Sequence, residues 1–139
     1  DACIHDSIKE FPNDYQSMVG ERGVTLSGGQ RQRVALACAL LKAPSILILD
    51  DALSAVDTDT EAQILAALKE RRSNQTTIII AHRLSTVMHA DKILMLSGGK
   101  IIQSGNHTSL SRTPGVYQRL CSIQGSIQTQ IEDDLAESE

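Results

Sequence analysis

With 139 residues, 41% hydrophobic, 22% charged and 2% aromatic, the chain has room for one domain with an aliphatic core, since a chain of ~150 residues buries about two-thirds of its unfolded surface. Much of the net charge of -4 lies at the C-terminal end in Glu132, Asp133, Asp134, Glu137 and Glu139. The remainder is close to neutral and gives no basis for a nucleic-acid surface. No run approaches the roughly 20 apolar residues of a membrane span, and no signal peptide is expected. Cys3, Cys38 and Cys121 form no C-x-x-C pattern, which points to free thiols in a reducing compartment, with Cys38 as a small core residue. The chain does not begin with Met, which suggests an excised or processed product.

In chain order, Ala2 to Phe11 reads as a helix with Ile4, Ile8 and Phe11 on one face, ended by Pro12-Asn13-Asp14. Val19 to Gly23 is a polar, glycine-bounded loop. Leu26-Ser27-Gly28-Gly29-Gln30 then runs into Arg31-Gln32-Arg33, and Ser27 with Gln30 has the spacing of a capping box, so a helix starts here. Each glycine in that first turn costs roughly 1 kcal/mol against alanine. Helix stability therefore does not account for them, whereas bare N–H groups at a glycine-lined helix N-terminus attract an anion such as phosphate. The helix is apolar on most sides, which predicts burial, and Pro44 closes it.

Ile46 to Leu49 is a short continuous apolar run that suits a strand covered on both faces. Thr58 and Glu61 show a second capping-box pattern, opening a helix with Ile64, Leu65 and Leu68 inward, Lys69, Glu70, Arg71 and Arg72 outward, and Asn74 as terminator. Thr76 to Ala81 is a second apolar strand, so strand, helix and strand make a βαβ unit with parallel strands. A short helical turn at Ser85 to His89 follows. Ile93 to Leu96 and Lys100 to Gln103, joined by Ser97-Gly98-Gly99, read as a hairpin. A small helix after Asn106, another from Val116 to Ile123, and a Gln/Ser-rich start to the acidic tail complete the chain.

Open parallel sheets bind ligands beyond the C-terminal ends of their strands. Asp50 and Asp51 follow the first apolar strand directly and His82 follows the second, so two carboxylates and an imidazole reach one rim, His82 beside Asp50. An acid after a buried strand suits a magnesium ion that also binds nucleotide phosphates. His5, His89 and His107 have no such setting and read as surface or capping residues.

Leu26 to Gln30 resembles the signature motif of ATP-binding cassette (ABC) ATPases, Ile46 to Asp50 their Walker B strand, Ser54-Ala55-Val56-Asp57 the D-loop, and Ala81-His82-Arg83 the switch-histidine loop. Val19 to Gly23 and His82 to Thr86 are exporter-like, including multidrug-type exporters. The resemblance implies an α/β fold: a P-loop NTPase-like parallel sheet, a signature-bearing helical part at residues 1–43, a core part with a hairpin at 44–123 and a disordered tail at 124–139. It implies ATP and Mg2+ as cofactors, with Asp50 holding the metal through water, Asp51 in the place of the base and His82 on the γ-phosphate. Leu26, Ser27, Gly28, Gly29 and Gln30 would engage ATP on a second nucleotide-binding domain, Ser54 and Asp57 would link the two composite sites, and Val19 to Gly23 would meet a transmembrane domain at the cytoplasmic face of a membrane. A DNA-associated ABC ATPase would lack the exporter loop.

Two departures qualify the resemblance. No G-x-x-x-x-G-K-[ST] string occurs: Gly99-Lys100 has Leu94 where the first glycine belongs and Ile101 where Ser or Thr belongs. The chain therefore reads as the C-terminal portion of a nucleotide-binding domain, inactive alone, with an unpaired sheet edge that favours self-association. Asp51 stands where the family usually has Glu, which withdraws the carboxylate by ~1.5 Å, one carbon-carbon bond. A general base out of reach of its proton loses about 10²–10⁴ in rate. Within the family this substitution marks the slow half of heterodimeric exporters.

Overall fold

The computed structural model describes residues 2–20, 23–71 and 75–124. Expectations for Glu21, Arg22, Arg72, Asn74 and the tail from residue 125 onward lie outside the described residues. The chain divides into two compact units, Asp1–His82 and Arg83–Glu139.

The first unit begins with α1 (His5–Lys9) and a 3-10 turn at Asp14–Gln16. The helix is shorter than its apolar spacing predicts, because Cys3 sits at φ 49°, outside the right-handed helical region. Then come α2 (Gly28–Leu41), β1 (Ile46–Asp50), α3 (Thr58–Glu70) and β2 (Thr76–Ile80). The two strands are parallel, in register from Ile46 opposite Thr76 to Asp50 opposite Ile80. Leu36 and Leu40 of α2, Leu47 and Leu49 of β1, and Ile64 and Leu68 of α3 form one buried cluster. Burying each such side chain contributes about 1.5–3 kcal/mol.

That cluster covers only one face of the sheet. Leu47 and Leu49 are buried, whereas Ile46 and Ile48 remain 60% and 61% exposed, and Ile78 and Ile80 of β2 are exposed as well. A strand covered on both faces is thus not what forms; continuous apolarity does not reveal how many layers the chain supplies. The same reason corrects α2, where Leu41 is 85% exposed and Cys38 lies on the surface rather than in the core. At α3 the cap moves by one residue. Asp57, with extended backbone, accepts from the Thr60 amide at 2.9 Å, and Thr58 is already the first helical residue. Glu61 is buried instead of closing a capping box.

In the second unit, α4 (Leu84–Val87) precedes an antiparallel hairpin of β3 (Ile93–Ser97) and β4 (Lys100–Gly105). Gly98 and Gly99 take φ 55° and 73°, the left-handed pair that a tight two-residue hairpin turn requires. Then α5 (His107–Leu110) is capped by Asn106, which exchanges hydrogen bonds with Ser109, and the described residues 116–124 are helical, α6. Tyr117 packs with Ile93 and Leu110. Its phenol meets His107 Nδ1 at 2.9 Å, its amide donates to Gln103 Oε1 at 3.0 Å, and burial pushes its pKa up. Among the described residues no helix is long and apolar enough to cross a membrane.

Candidate functional site

All the candidate residues lie in the first unit. β1 delivers Asp50 on the Ile46 and Ile48 face of the strand, since alternate residues share a side. Asp51 has already left the strand: its amide still donates to the Ile80 carbonyl at 2.9 Å, but its φ is 50°. Aspartate tolerates that left-handed conformation better than most side chains. The turn carries Asp51 to the imidazole that follows β2, and His82 Nδ1 stands 3.1 Å from Asp51 Oδ1. The sequence places His82 beside Asp50; the structure gives it the next carboxylate as its partner, because Asp50 is still held in the ladder opposite Ile80. Both members are open to water, His82 at 71% and Asp51 at 54% of the side chain. This pair can orient a bound oxygen species from two sides, one group accepting and the other able to donate.

Beyond Asp51 the chain turns back through residues 52–57. Ser54 donates through Oγ to the Asp51 carbonyl at 2.9 Å, and Leu53 and Val56 anchor the turn in the core. Asp57 ends it as the cap of α3. Its carboxyl is held below the ordinary value of 3.8, chiefly by hydrogen bonding from the Thr60 amide, with the Arg33 guanidinium a lesser cause.

The N-terminus of α2 has the expected capping box: Ser27 Oγ accepts from the Gln30 amide at 3.2 Å and Gln30 Oε1 from the Ser27 amide at 2.9 Å. Leu26 is buried and Ser27 exposed. The half-buried Gly28 and Gly29 amides meet no acceptor among the described residues, leaving two oriented donors at the positive end of the helix. The glycines also have a packing reason absent from the sequence pattern. A β-carbon on Gly29 would lie 2.6 Å from the Ala55 carbonyl oxygen, and one on Gly28 3.4 Å from the Ala55 β-carbon. The helix start and the 52–57 turn therefore touch backbone to backbone.

Two residues given no role by sequence reasoning hold this arrangement. Gln32 donates to Ser54 Oγ and accepts from the Ala55 amide, both at 3.0 Å. Arg33 donates to the Cys3 carbonyl and to Ser7 Oγ, tying α1 to α2. The signal for Gln32 was its i+3 relation to Gly29, which puts both on one side of the helix. The Val19 to Gly23 loop is closed by Met18 accepting from the Val24 amide at 2.7 Å and Gly20 from the Gly23 amide at 3.0 Å. Gly20 has φ 128°, and a β-carbon on Gly23 would overlap the Met18 carbonyl.

A sequence profile described as "ABC transporter" matches residues 2–54. A solved bacterial Atm1-family ABC exporter with ATP bound superposes on 88% of this chain and 22% of its own, with a TM-score of 0.80 and 46% identity. The chain belongs to the ABC transporter family. Its fold is the matching part of an ABC nucleotide-binding domain. This ABC chain is 52% identical over 132 residues to the heavy metal tolerance protein of Schizosaccharomyces pombe, covering 94% of the chain and 16% of that protein. It is 49% identical over 126 residues to the mitochondrial iron-sulfur clusters transporter ABCB7 of Danio rerio, covering 90% of the chain and 17% of that protein. It therefore spans about a sixth of the length of these relatives.

Proposed function

We propose that these residues are the signature-bearing C-terminal part of the ATPase domain of an ABC exporter, which hydrolyses ATP to ADP and phosphate to drive transport. The observation that carries this reading is the Asp51–His82 pair at the rim of a parallel sheet, in a unit that also presents the open amides of Gly28 and Gly29. In this mechanism Asp51 orients the attacking water and accepts its proton. His82 donates to the γ-phosphate oxygens as the bond to the ADP oxygen breaks. Ser27, Gly28, Gly29 and Gln30 face the triphosphate of a second nucleotide-binding domain, while Ser54 and Asp57 link the two sites. The loop from Val19 to Gly23 meets the transmembrane domain, with the whole assembly at the cytoplasmic face of a membrane. The proposal divides the chain into residues 1–43 as the helical part, 44–123 as the core part and 124–139 as a tail.

The residues fit a magnesium ion carried by the nucleotide. Among the described residues no group of three or more His, Cys, Asp or Glu is placed to cage a metal. A single carboxylate, Asp50, suits an ion that keeps most of its coordination to water and phosphate. Bound there, magnesium would neutralise charge on the phosphate oxygens.

Asp51 is proposed as a weak base, making this the slow half of a heterodimer. In the full-length transporter, Asp51→Glu should raise turnover at this site at least 10-fold, as a restored general base does. An unchanged single-site rate would refute the slow-half assignment. The names of the relatives, concerned with heavy metals and iron-sulfur clusters, favour a metal-related cargo over the multidrug cargo suggested by the exporter motifs. A second reading, that the 139-residue chain by itself is a non-catalytic interaction module, is favoured by the missing P-loop string. It predicts no hydrolysis by the isolated chain.

A further inference from the structure

The contact between α2 and the 52–57 turn is built from an unusually complete use of one side chain. Gln32 has a carboxamide with one accepting and one donating end, and both ends are spent on the same turn. Its Oε1 takes the Ala55 amide at 3.0 Å, and its Nε2 gives to Ser54 Oγ at 3.0 Å, with the Asp51 carbonyl at 3.4 Å. Ser54 passes the connection on, donating to the Asp51 carbonyl at 2.9 Å. One turn earlier on the same side of α2, Gly29 lets the Ala55 carbonyl come close enough to exclude any β-carbon. No other side chain reproduces this pattern at this reach. Glutamate lacks the donor, asparagine is one methylene short, and methionine matches the volume with neither function.

Holding the turn on the protein does not require Gln32. Leu53 and Val56 are already buried in the core, as are Leu36 and Leu40 of α2. What the carboxamide adds is orientation of Ser54 and Ala55, and through Ser54 of the backbone from which the Asp51 carboxylate springs.

We propose that Gln32 is a positioning residue that clamps the 52–57 turn to the start of α2, so that an anion engaged by the Gly28 and Gly29 amides fixes the backbone carrying Asp51. This rests on the nucleotide reading above for its functional half and on geometry alone for its structural half. The clamp makes the helix N-terminus and the acid of the same chain move together: a nucleotide on the partner domain is sensed at Gly28 and Gly29 and reported at Asp51, which faces this chain's own nucleotide.

The test uses Gln32→Met, Ser54→Ala and the double variant in the full-length protein assembled with its partner domain. The amide of Ala55 should exchange with solvent at least 5-fold faster in Gln32→Met, with β1 amides unchanged. Single-site turnover of the ATP that faces Asp51 should fall at least 10-fold, with KM for ATP at that site within about 3-fold. Adding Ser54→Ala to Gln32→Met should change turnover less than 2-fold, because contacting groups that act as one unit are not additive. Unaltered Ala55 exchange overturns the clamp. Faster exchange with undiminished turnover, a KM that moves as much as kcat, or fully additive variants overturn its role in catalysis. If the wild-type assembly hydrolyses no ATP, the nucleotide reading fails and the functional half of this inference with it, while Ala55 exchange still decides the clamp.

Discussion

Each of the two compact units is held together internally by contacts of a different range. In Arg83–Glu139 most of the polar contacts are local, a hairpin closed by Gly98 and Gly99, a cap exchanged between Asn106 and Ser109, and a ring pair ten residues apart in His107 and Tyr117, while the packing of Tyr117 on Ile93 spans further. In Asp1–His82 the decisive contacts join distant segments: β1 with β2, Gln32 with Ala55, and Arg33 with Cys3. Every candidate site residue belongs to that unit. Closing longer loops costs only slightly more entropy per doubling of length, and in return it brings carboxylate, imidazole and helix N-terminus together from separate parts of the chain. Local contacts cannot do that.

The largest expected effect strikes the local unit at its centre. Tyr117→Ala should cost about 3–5 kcal/mol, the usual range for removing a buried aromatic, and should also strip His107 of its hydrogen-bond partner. Urea unfolding monitored by hydrogen exchange should show the loss concentrated in residues of the second unit. Equal loss across both units would erase the distinction drawn between them.

Gly29→Ala tests the long-range unit. Helix propensity alone gains up to about 1 kcal/mol, while forcing a methyl against the Ala55 carbonyl costs about 1–3 kcal/mol, so net destabilisation is expected. A stabilised variant in denaturant titration would show that the turn is not fixed against the helix. In the hairpin, Gly99→Ala places a side chain at φ 73° and should cost about 1 kcal/mol, with the loss confined to β3 and β4 amides.

The smallest effect is at the α3 cap. Asp57→Ala removes the acceptor for the Thr60 amide and should lower the melting temperature by a few degrees at most. Because the folded-state pKa of Asp57 lies below 3.8, the part of its contribution that depends on charge is fully present above that value. It disappears as pH falls from there through the lower folded value. The difference between wild type and variant should therefore shrink in strong acid to what the neutral carboxyl still gives as an acceptor; a difference that does not shrink would mean that charge on the cap is irrelevant.

The local features were legible from the residues. Ser27 with Gln30 announced its capping box, and Gly98-Gly99 its turn, because each is decided within a few residues. The α3 cap was misplaced by one position because Asp57 and Thr58 are both good caps, and only backbone dihedral angles choose between them. Ile46 and Ile48 were expected inside because an apolar run encodes hydrophobicity but not the number of layers available to cover it. His82 was drawn to the correct rim, yet its partner depended on Asp51 leaving the strand with a left-handed turn, which no spacing rule states. Gln32 went without a role because its partners lie 22 and 23 residues away.

The uncovered side of the sheet has a practical corollary. Ile46, Ile48, Ile78 and Ile80 make an exposed apolar surface beside Asp50, and solutes excluded from protein surfaces, such as sulfate, strengthen the drive to hide it. Concentrated solutions of the 139-residue chain should scatter more light as ammonium sulfate is added, and Ile48→Lys with Ile78→Thr should keep them clear.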